Sequence, residues 1–466
     1  MELYNSLTKD RQALPDAPAK INMYSCGVTV YDKCHIGHAR SLYTFDALVK
    51  YLRYRGYDVR FVRNITDVDD KIIAKASQTG RTFDEVVREN IGLYYKDMRD
   101  LGVSPADAEP RATENIPLMI AHIDGLISRG HAYVSEGDVY FRVRSFADYG
   151  KLSGQSVDRM LEGVRIDKDE KKEDPLDFAL WKKAKPGEPS WPSPWSAGRP
   201  GWHIECSCMS MKHLGAETLD IHAGGRDLIF PHHENEIAQA EALTGKPFAK
   251  LWIHHGLLTI NSQKMSKSLG NFITVQDALK QHSVNALKLF FLSTHYASSI
   301  DYTAEKLGDM EKGVARFRNL LAKINAVPAP RLSVSMDEAE LVLDAKEKVI
   351  AALDADFNTA LALGHVFDAV TAVNRFIDEG KQDDYFEGTV HLAGKFLREV
   401  LEGVFGMDLR EEAAALSPDE QAMLDERAAA RKARDWKRSD ELRDLLKARG
   451  VIVEDSKAGQ AWKRSG

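Results

Sequence analysis

Two histidines stand three residues apart in the segment Cys34-His35-Ile36-Gly37-His38. On a helix, residues at this spacing are one turn apart, so the imidazoles of His35 and His38 face the same way. The start of a helix offers free N–H groups and partial positive charge, and both suit a phosphate. Gly37 leaves room for a flat base to approach the backbone. The segment predicts a nucleotide site, although two histidines at this spacing also occur by chance.

A second segment, Lys264-Met265-Ser266-Lys267-Ser268, carries two lysines and two hydroxyl groups. Lys264 and Lys267 on a short loop can neutralise the charge of a triphosphate as it breaks. A solvated surface loop would have the same composition, so this segment alone does not establish a triphosphate site. Two other nucleotide signatures are missing from the sequence, the P-loop and a Gly-x-Gly-x-x-Gly after a strand.

Four possible metal ligands are spread along the chain. Cys26 ends the first predicted strand, Cys206 follows the residues Trp-His-Ile-Glu, and His232 and Glu236 are four residues apart. On a helix that spacing places the last two side chains on one face. Two thiolates, one imidazole and one carboxylate make a set that suits tetrahedral zinc. The alternative is that the cysteines are small buried hydrophobic residues.

The composition indicates the class of protein that positions these residues. It has 466 residues, 44% hydrophobic and 29% charged, which is typical of a globular protein of more than one domain. A net charge of −7 excludes a bulk polycation, and four cysteines argue against a disulfide scaffold. Because the sequence has no apolar run of about 20 residues and no secretory signal, we expect a soluble, cytoplasmic protein without membrane contact.

A strand, a helix and a strand are predicted in turn near the start of the chain. Residues 20–28 alternate like a strand, residues 36–55 carry apolar side chains three and four apart, and residues 59–65 resemble a second strand. This unit predicts a parallel sheet, and ligands bind at the carboxyl ends of such strands, where the His35 segment lies. A β-hairpin is predicted over residues 134–143, further strands over residues 219–223 and 251–260, and helices over residues 308–405.

The end of the chain is basic. Residues 427–466 hold 12 Lys and Arg against 6 Asp and Glu, a net of +6, which leaves −13 for the rest of the chain. A basic tail on an acidic body indicates a polyanionic partner. A solvated helical face explains the charges equally well.

The histidine segment (residues 34–38) and the lysine segment (residues 264–268) together resemble the signature pair of class I aminoacyl-tRNA synthetases. Four further segments are similar to the cysteinyl-tRNA synthetase family: residues 26–32 (CGVTVYD), 64–71 (NITDVDDK), 201–207 (GWHIECS) and 230–236 (FPHHENE). The similarity runs from residue 3 to residue 464. It implies one zinc ion in the catalytic domain, held by Cys26, Cys206, His232 and Glu236.

The resemblance also implies roles for individual residues. ATP, with Mg²⁺ on its phosphates, would be bound by His35, Gly37, His38 and Lys267. The charge that develops at the α-phosphorus would be stabilised by the catalytic residues His35, His38, Lys264 and Lys267. The substrate L-cysteine would be bound by Gly27, Thr29, Thr66, Trp202, His222 and Asp227. Zinc would take the substrate thiolate, for which the hydroxyl of serine competes poorly, so no editing domain is implied.

Contacts with tRNA(Cys) are implied for the second half of the chain. Residues 356–359 (DFNT) resemble a motif of the family's helical bundle, which contacts the tRNA on the side of the anticodon stem. Residues 434–443 and 450–455 resemble its anticodon-binding end, where the RNA would be bound by Arg434, Trp436, Lys437 and Arg438. Trp436 or Trp462 could stack on an unpaired base, and the alternative is that Trp436 belongs to the core.

The expected fold class is α/β. A Rossmann-like parallel-sheet catalytic domain with an insertion would be followed by a mostly α-helical bundle and a small C-terminal anticodon-binding domain. We expect a monomer with these boundaries: catalytic domain 1–125 and 201–257, inserted connective-peptide domain 126–200, stem-contact region with the lysine loop 258–305, helical bundle 306–410 and basic C-terminal domain 411–466.

Three other functions share parts of this pattern. The cysteine ligase of mycothiol synthesis has the same zinc set and both signatures, but its aminosugar acceptor has no use for a basic anticodon-type end. An inactive RNA-binding paralogue would have no reason to keep both histidines and both lysines of the signatures. Some bacterial members could also form cysteine persulfide with pyridoxal phosphate held by Lys71 and Lys75.

The sequence departs from the family pattern at a few positions. Val28 stands where proline is common, and Lys288 and Ala297 stand where arginines are common. These changes could alter nucleotide or tRNA-stem contacts but leave the ligand set intact. Cys208, two residues from Cys206, is an extra thiol, and Cys34, inside the first motif, could compete as a metal ligand, but we expect both to be ordinary cysteines.

Overall fold

The computed structural model describes residues 1–157, 171–266, 269–330, 332, 334–380, 385–410, 418–456 and 459–464. It divides the chain into two compact units, Met1–Asp408 and Leu409–Gly466. The described strands are β1 (Glu2–Asn5), β2 (Asp10–Ala13), β3 (Lys20–Ser25), β4 (Asp58–Arg63), β5 (Ala132–Ser135), β6 (Asp138–Phe141), β7 (Phe178–Lys183), β8 (Gly198–Pro200), β9 (Leu219–Gly225), β10 (Ala249–His255), β11 (Leu258–Ile260), β12 (Gln263–Lys264), β13 (Ile300–Tyr302), β14 (Val451–Ser456) and β15 (Gly459–Arg464). The described α-helices are α1 (Ile36–Tyr54), α2 (Asp70–Thr79), α3 (Phe83–Asp100), α4 (Ile116–Ser128), α5 (Trp202–Leu214), α6 (Glu234–Thr244), α7 (Val275–Gln281), α8 (Val284–Leu292), α9 (Ala304–Ala326), α10 (Glu340–Asp354), α11 (Thr359–Glu379), α12 (Phe386–Arg398), α13 (Pro418–Lys432) and α14 (Trp436–Ala448).

The central sheet of the first unit has four parallel strands in the order β10-β9-β3-β4. The predicted strand–helix–strand unit is confirmed as β3, α1 and β4, with β3 ending at Ser25, earlier than predicted. Parallel strands covered on both faces are continuously apolar, and β9 and β10 are buried over nearly their whole length. Cys26, Gly27 and the His35 segment therefore lie beyond the carboxyl ends of the strands, where ligands bind in such sheets.

An antiparallel sheet with the strand order β5-β6-β7-β8 follows α4. The predicted hairpin is confirmed as β5 and β6, two residues earlier than expected. The sheet shares one core with α4 and α5, which includes Phe141 and Trp181. Asp70, the first residue of α2, forms ion pairs with Lys182 of β7 and Arg199 of β8 and so ties this sheet to the catalytic part.

A three-stranded sheet with the order β12-β11-β13 carries the lysine segment. The single strand predicted over residues 251–260 was wrong, because β10 ends at His255 and β11 begins only at Leu258. The turn between them takes the chain out of the central sheet. β11 then pairs with β12, with Thr259 opposite Lys264.

The rest of the first unit is helical, as predicted. By length and composition α11 could cross a membrane, in contrast to the expectation that the sequence has no such run. Leu363, Val366 and Val370 on one side of α11 are buried, and α11 contacts α10 and α12. The core helix of a helical bundle has the same pattern, so this helix is weak evidence for a membrane span.

The N-terminal hairpin joins the edge of the central sheet to the helical part. The amide of Ser6 donates to the carbonyl of Trp252 in β10 at 2.9 Å. The amide of Tyr4 and the hydroxyl of Tyr296 both donate to Asp356 Oδ1, at 2.8 and 2.6 Å. Because Asp356 of the DFNT motif is buried, it stabilises the fold rather than facing RNA.

The second unit consists of α13, α14 and the antiparallel hairpin of β14 and β15. Leu424, Leu446 and Val451 form its core, and Trp462 packs against them. Arg427 is fully buried and donates to both carboxylate oxygens of Asp455, at 3.0 and 2.9 Å. This bidentate pairing satisfies a charge that would otherwise be costly in so small a core.

Lys288 is a buried lysine of α8. Its ammonium group donates to the carbonyl of Gly406 at 2.5 Å and lies 5.9 Å from the centre of the Tyr43 ring. Burial lowers the pKa of Lys288 from 10.5 to about 8. Between these two pH values the unfolded chain holds a proton that the folded chain has released, so stability rises with pH through this window.

We expect a difference between the wild-type chain and Lys288→Arg in this window, because a guanidinium stays charged throughout. The free energy of unfolding of the wild type should rise by up to ~3 kcal/mol relative to the variant. Urea unfolding at a series of pH values measures it. Lys348→Arg, at an exposed lysine of α10, is the control and should show no such rise. Parallel pH profiles for wild type and Lys288→Arg would contradict the assigned pKa.

Candidate active site and metal centre

Two chain segments meet beyond the ends of β3 and β4. Thr29 and Thr66 form a parallel bridge, and the Thr66 amide donates to the carbonyl of Val28 at 3.1 Å. The amide of Gly27 donates to Asn64 Oδ1 at 2.7 Å. A Cβ on Gly27 would come within 1.5 Å of the Asn64 carbonyl oxygen, so only glycine fits here. The predicted substrate residues Gly27, Thr29 and Thr66 are therefore neighbours.

The first histidine segment forms the start of α1. His35 is the N-cap: its Nδ1 accepts from the His38 amide at 3.2 Å, and His38 Nδ1 accepts from the His35 amide at 3.4 Å. This reciprocal pattern is a capping box made of two histidines. The rings stack with their centroids 3.6 Å apart, so both face the same way, as predicted. Burial, His35 and Lys71 lower the pKa of His38 well below its ordinary value, so its ring is neutral.

The space beside Gly37 is taken by the His35 ring. A Cβ on Gly37 would lie 2.9 Å from two atoms of that ring and 3.5 Å from Met265 Cε. The sequence predicted that this space serves a nucleotide base. The structure gives Gly37 an additional role, because the position of the capping histidine depends on it.

The two signature segments lie side by side. The amide of Ile36 donates to the carbonyl of Ile273 at 3.1 Å, and the amide of Val275 donates to the carbonyl of Cys34 at 2.9 Å. These backbone bonds join the start of α1 to the chain that follows the lysine loop. The two motifs, which are far apart in the sequence, are therefore joined by direct backbone contacts between their flanking residues.

Asn271 closes the lysine loop. Its Oδ1 accepts from the Ser266 amide at 2.8 Å, and its Nδ2 donates to the carbonyl of Lys264 at 3.2 Å. Lys264 itself is exposed, while the predicted residue Lys267 lies outside the described residues. The sequence prediction missed Asn271, although its place directly after the motif made it a candidate for a structural role in the loop.

The four predicted metal ligands come together in the structure. The Sγ atoms of Cys26 and Cys206 are 3.8 Å apart. Glu236 Oε1 lies 3.4 Å from Cys26 Sγ and 2.9 Å from His232 Nε2. A tetrahedral ion with bonds of about 2.3 Å to two sulfurs holds them about 3.8 Å apart. All four ligand atoms lie within 4.8 Å of one another, so these residues fit one ion.

The spacing had indicated one helix face for His232 and Glu236, but the two residues lie in no common regular helix. His232 lies in a π-helical turn, Ile229–His233, and Glu236 lies in the first turn of α6. The chain direction changes within this turn, where Phe230 has an extended backbone. The two side chains still meet, because the distorted turn brings His232 back over the start of α6.

The charges of this cluster suit a cation. A hydrogen bond from the Cys26 thiol lowers the pKa of Cys206 to about 6 against the effect of burial. Burial lowers the pKa of His232, but Glu236 and Cys206 raise it to about 10. Burial raises the pKa of Glu236, yet His222 and His232 hold it well below its ordinary value. The Cys206 thiolate and the Glu236 carboxylate thus flank the protonated imidazole of His232. A divalent cation can displace this proton.

A second, overlapping group of described residues also meets the ligand distances: Cys26, His222, His233 and Glu236. It has one thiolate instead of two, so a thiophilic ion favours the first group. His222 Nε2 lies 2.7 Å from Glu236 Oε2, and His203 Nδ1 lies 2.9 Å from His232 Nδ1. Contacts of this kind orient metal ligands. The sequence prediction missed His203 and His233, although both stand inside the motifs.

The other predicted substrate residues lie around this cluster. Thr66 Oγ1 donates to Glu205 Oε2 at 2.9 Å, and both side chains are buried. The Trp202 ring is 37% exposed and lies 4.0 Å from the His232 ring, where it can cover a small substrate. Asp227 is exposed in the turn after β9. Glu205 is a further residue that the sequence prediction missed.

The two extra thiols are isolated from this chemistry. Cys34 and Cys208 are buried, and among the described residues neither belongs to a metal-binding group. Burial raises the pKa of Cys34 to about 12 and that of Cys208 well above its ordinary value. Both thiols stay protonated at neutral pH.

In the second unit the predicted RNA-binding residues lie on the surface. Trp436 is 57% exposed, so the alternative that it belongs to the core was wrong. The guanidinium of Arg431 lies 5.7 Å from its ring centre. Arg434 and Lys437 are exposed beside it, and Arg438 is paired with Glu426 and Glu441. Trp462 packs on the core instead, which makes it a poor stacking platform.

Comparison with known proteins decides the family. A model of the class I (C) tRNA synthetase catalytic domain matches residues 13–312, a DALR domain matches residues 348–410, and a cysteinyl-tRNA ligase anticodon binding domain matches residues 413–462. Proteins named cysteine–tRNA ligase from Thermodesulfovibrio yellowstonii and Geobacter sulfurreducens are 47% and 48% identical to the chain over 99% of both partners. The chain belongs to the cysteine–tRNA ligase family. Membership confirms the assignment from the motifs, and the anticodon-binding match argues against the aminosugar ligase.

Solved structures with the same fold are more distant members of class I. Methionyl-tRNA synthetase from Mycobacterium tuberculosis superposes with a TM-score of 0.66 at 17% identity, over 86% of this chain and 95% of that one. A putative arginyl-tRNA synthetase from Campylobacter jejuni gives a TM-score of 0.59 at 14% identity, over 84% and 93% of the two chains. The expected fold class, a Rossmann-like catalytic domain followed by helices, is confirmed.

Proposed function

We propose that this chain activates L-cysteine with ATP and transfers it to tRNA(Cys). The observation that carries the proposal is the position of two groups at one edge of the central sheet. The cluster of Cys26, Cys206, His232 and Glu236 lies directly after β3, and the stacked His35–His38 pair begins the following helix. A thiolate-rich metal site beside a phosphate-binding helix start suits a thiol amino acid that ATP activates.

We propose zinc as the ion of this cluster. When bound, zinc supplies a thiophilic centre that accepts the substrate's thiolate and discriminates against the hydroxyl of serine. His203 and His222 keep His232 and Glu236 oriented through their hydrogen bonds. Trp202 covers the pocket and excludes water.

The polar end of the substrate needs partners of its own. Thr66 and Asp227 would bind the amino group, with Glu205 holding the Thr66 hydroxyl in place. The backbone at Gly27 and Thr29, at the sheet edge, and the ring of His222 would line the rest of the pocket. The carboxylate is then left facing the start of α1.

In the activation step a carboxylate oxygen of cysteine attacks the α-phosphorus of ATP, and pyrophosphate leaves. His35 and His38 would stabilise the charge on the phosphates at the helix start, with Gly37 allowing their geometry. Lys264 and Lys267 would neutralise the leaving pyrophosphate, and Mg²⁺ would accompany ATP on its phosphate oxygens. No protein nucleophile is needed.

In the transfer step a hydroxyl of the terminal ribose of tRNA attacks the cysteinyl carbonyl, and AMP leaves. In the second unit Trp436 would stack on an unpaired base, while Arg434, Lys437 and Arg438 contact phosphates. The exposure of Trp436 supports this assignment.

We also propose that the protein is a cytoplasmic monomer. All four cysteines are free, which agrees with a reducing compartment. Light scattering on the purified protein would test the monomer.

The test of the proposed function is charging of tRNA(Cys) with labelled cysteine. The full chain should charge, and removal of residues 418–466 should lower charging by at least ~10²-fold, since base stacking and phosphate contacts are lost. Cysteine-dependent pyrophosphate exchange should persist in both proteins, because the first unit has its own core. Exchange without charging by the full chain would refute the transfer to tRNA, and undiminished charging by the shortened chain would refute the RNA role of the second unit.

A further inference from the structure

Arg40 lies on α1 two residues after His38 and is only 1% exposed. Its Nη1 donates to the carbonyls of Gly256 and Leu257, each at 2.8 Å. Its Nη2 donates to the carbonyls of Tyr296 and Ser298, at 3.2 and 2.6 Å. One buried guanidinium therefore binds four backbone carbonyls on two segments that are distant in the sequence.

Both segments lead into the sheet that carries Lys264. Gly256 and Leu257 directly precede β11, and Ser298 stands two residues before β13. These two strands pair in parallel, and β11 pairs in turn with β12, which ends at Lys264. A Cβ on Gly256 would lie 2.3 Å from Ser298, so the segments approach closely enough for one guanidinium to bridge them.

Only an arginine can make this set of bonds. A guanidinium directs several N–H groups outward in a fixed plane, while a lysine ammonium is a compact point charge that cannot reach both segments in the same way. Among the ion pairs of the described residues Arg40 has no carboxylate partner, so its charge is balanced by carbonyl dipoles alone. Burial lowers the pKa of Arg40 to about 10, which still leaves it protonated at neutral pH.

We propose that Arg40 is a positioning residue for the activation step: it fixes the sheet of Lys264 to the helix that carries His35 and His38. The inference rests on the proposed function, in which these three side chains act together on the phosphates of ATP. The cysteine pocket lies on β3, β9, α5, α6 and the segments that follow the strands, and among the described residues none of the four hydrogen bonds of Arg40 goes to a residue of this pocket.

The test compares Arg40→Lys with the wild type in cysteine-dependent pyrophosphate exchange. A small displacement of Lys264 should lower kcat and raise KM for ATP, together on the order of 10²-fold, with KM for cysteine nearly unchanged. Arg427→Lys replaces an equally buried arginine in the second unit and should leave exchange unaffected. If the wild type shows no exchange, the proposed function fails; if Arg40→Lys equals an active wild type, only this inference fails.

A double-mutant cycle separates positioning from general destabilisation. If Arg40 acts through Lys264, Arg40→Lys should cost little further activity in a Lys264→Ala background. Additive losses of activity in the double variant would overturn the proposal. So would equal increases of KM for ATP and for cysteine together with a lowered Tm.

A measurement on the wild type covers the case that Arg40→Lys does not fold. The Gly256 amide donates to the carbonyl of Tyr296, and the Ile300 amide donates to the carbonyl of Leu257, at 2.8 and 2.9 Å. If Arg40 holds these segments rigidly, both amides should resist hydrogen exchange with and without ATP. Rapid exchange of these amides in the ATP-free protein would refute the anchoring role.

Discussion

Cys206→Ser should abolish stoichiometric metal binding and lower kcat/KM for cysteine in pyrophosphate exchange by at least ~10²-fold. A serine hydroxyl ionises far less readily than a thiol and is a harder ligand, so the cluster loses one of its two thiophilic donors. Loss of residues that merely orient ligands already costs 10–100-fold in many metal sites, and a direct ligand should cost more. Metal content per chain after dialysis, measured by mass spectrometry, gives a readout separate from activity.

The chain provides a matched control two residues away. Cys208 is buried on the same helix and, among the described residues, belongs to no metal group. Its Sγ lies 3.5 Å from the carbonyl of Glu205, a contact that a serine hydroxyl can keep. Cys208→Ser should retain full metal content and near wild-type exchange. Equal metal loss in the two variants, or full metal in Cys206→Ser, would contradict the assigned ligand set.

His38→Ala should lower kcat for exchange by ~10²–10³-fold, the range found when one preorganised group is removed from a developing charge. The substitution removes two things at once, the imidazole at the phosphate site and the acceptor of the capping box. Loss of a helix cap costs ~1 kcal/mol of stability, so the melting temperature should fall slightly as well. Pyrophosphate exchange and thermal unfolding measure the two effects separately.

His38→Gln distinguishes these effects. A glutamine at this position can still accept from the N-cap amide, as in ordinary capping boxes. We therefore expect a melting temperature close to that of the wild type, with exchange as low as in His38→Ala. Recovery of activity in His38→Gln would show that the cap, rather than the imidazole, is what catalysis needs. His365→Ala on α11 is a control that should change neither property.

Much of the site was predictable because its parts are local in the sequence. The His35–His38 pair needs only helical spacing, and β3, α1 and β4 follow from apolar periodicity over short windows. The ligand set was reached from thiolate, imidazole and carboxylate chemistry together with the family resemblance. The histidine pair and the strand–helix–strand unit do not depend on how distant segments pack, whereas the ligand set was named from residue chemistry and the resemblance and comes together only in the fold.

The parts that escaped prediction depend on long-range packing. Arg40 looks like any helix arginine until the turns at Gly256 and Ser298 supply four carbonyls, more than 200 residues away. Asn271 acts through hydrogen bonds to the backbone of its loop, and the conformation of that loop cannot be read from residue spacing. The break between β10 and β11 came at Gly256 and Leu257, inside the segment 251–260 predicted as one strand, and periodicity alone cannot locate a break between two sheets in so short a segment.

The N-terminal hairpin has a consequence for biosynthesis. Asn5 Oδ1 accepts from the Trp252 amide, 247 residues later, and Tyr4 donates to Asp356, 352 residues later. At synthesis rates of roughly 5–20 residues per second, the hairpin waits on the order of tens of seconds after its own translation for these partners. The hairpin therefore takes its final place only after Trp252 and Asp356 have been made, and its removal would act on the joining of sheet and helices rather than on the formation of β3, α1 and β4.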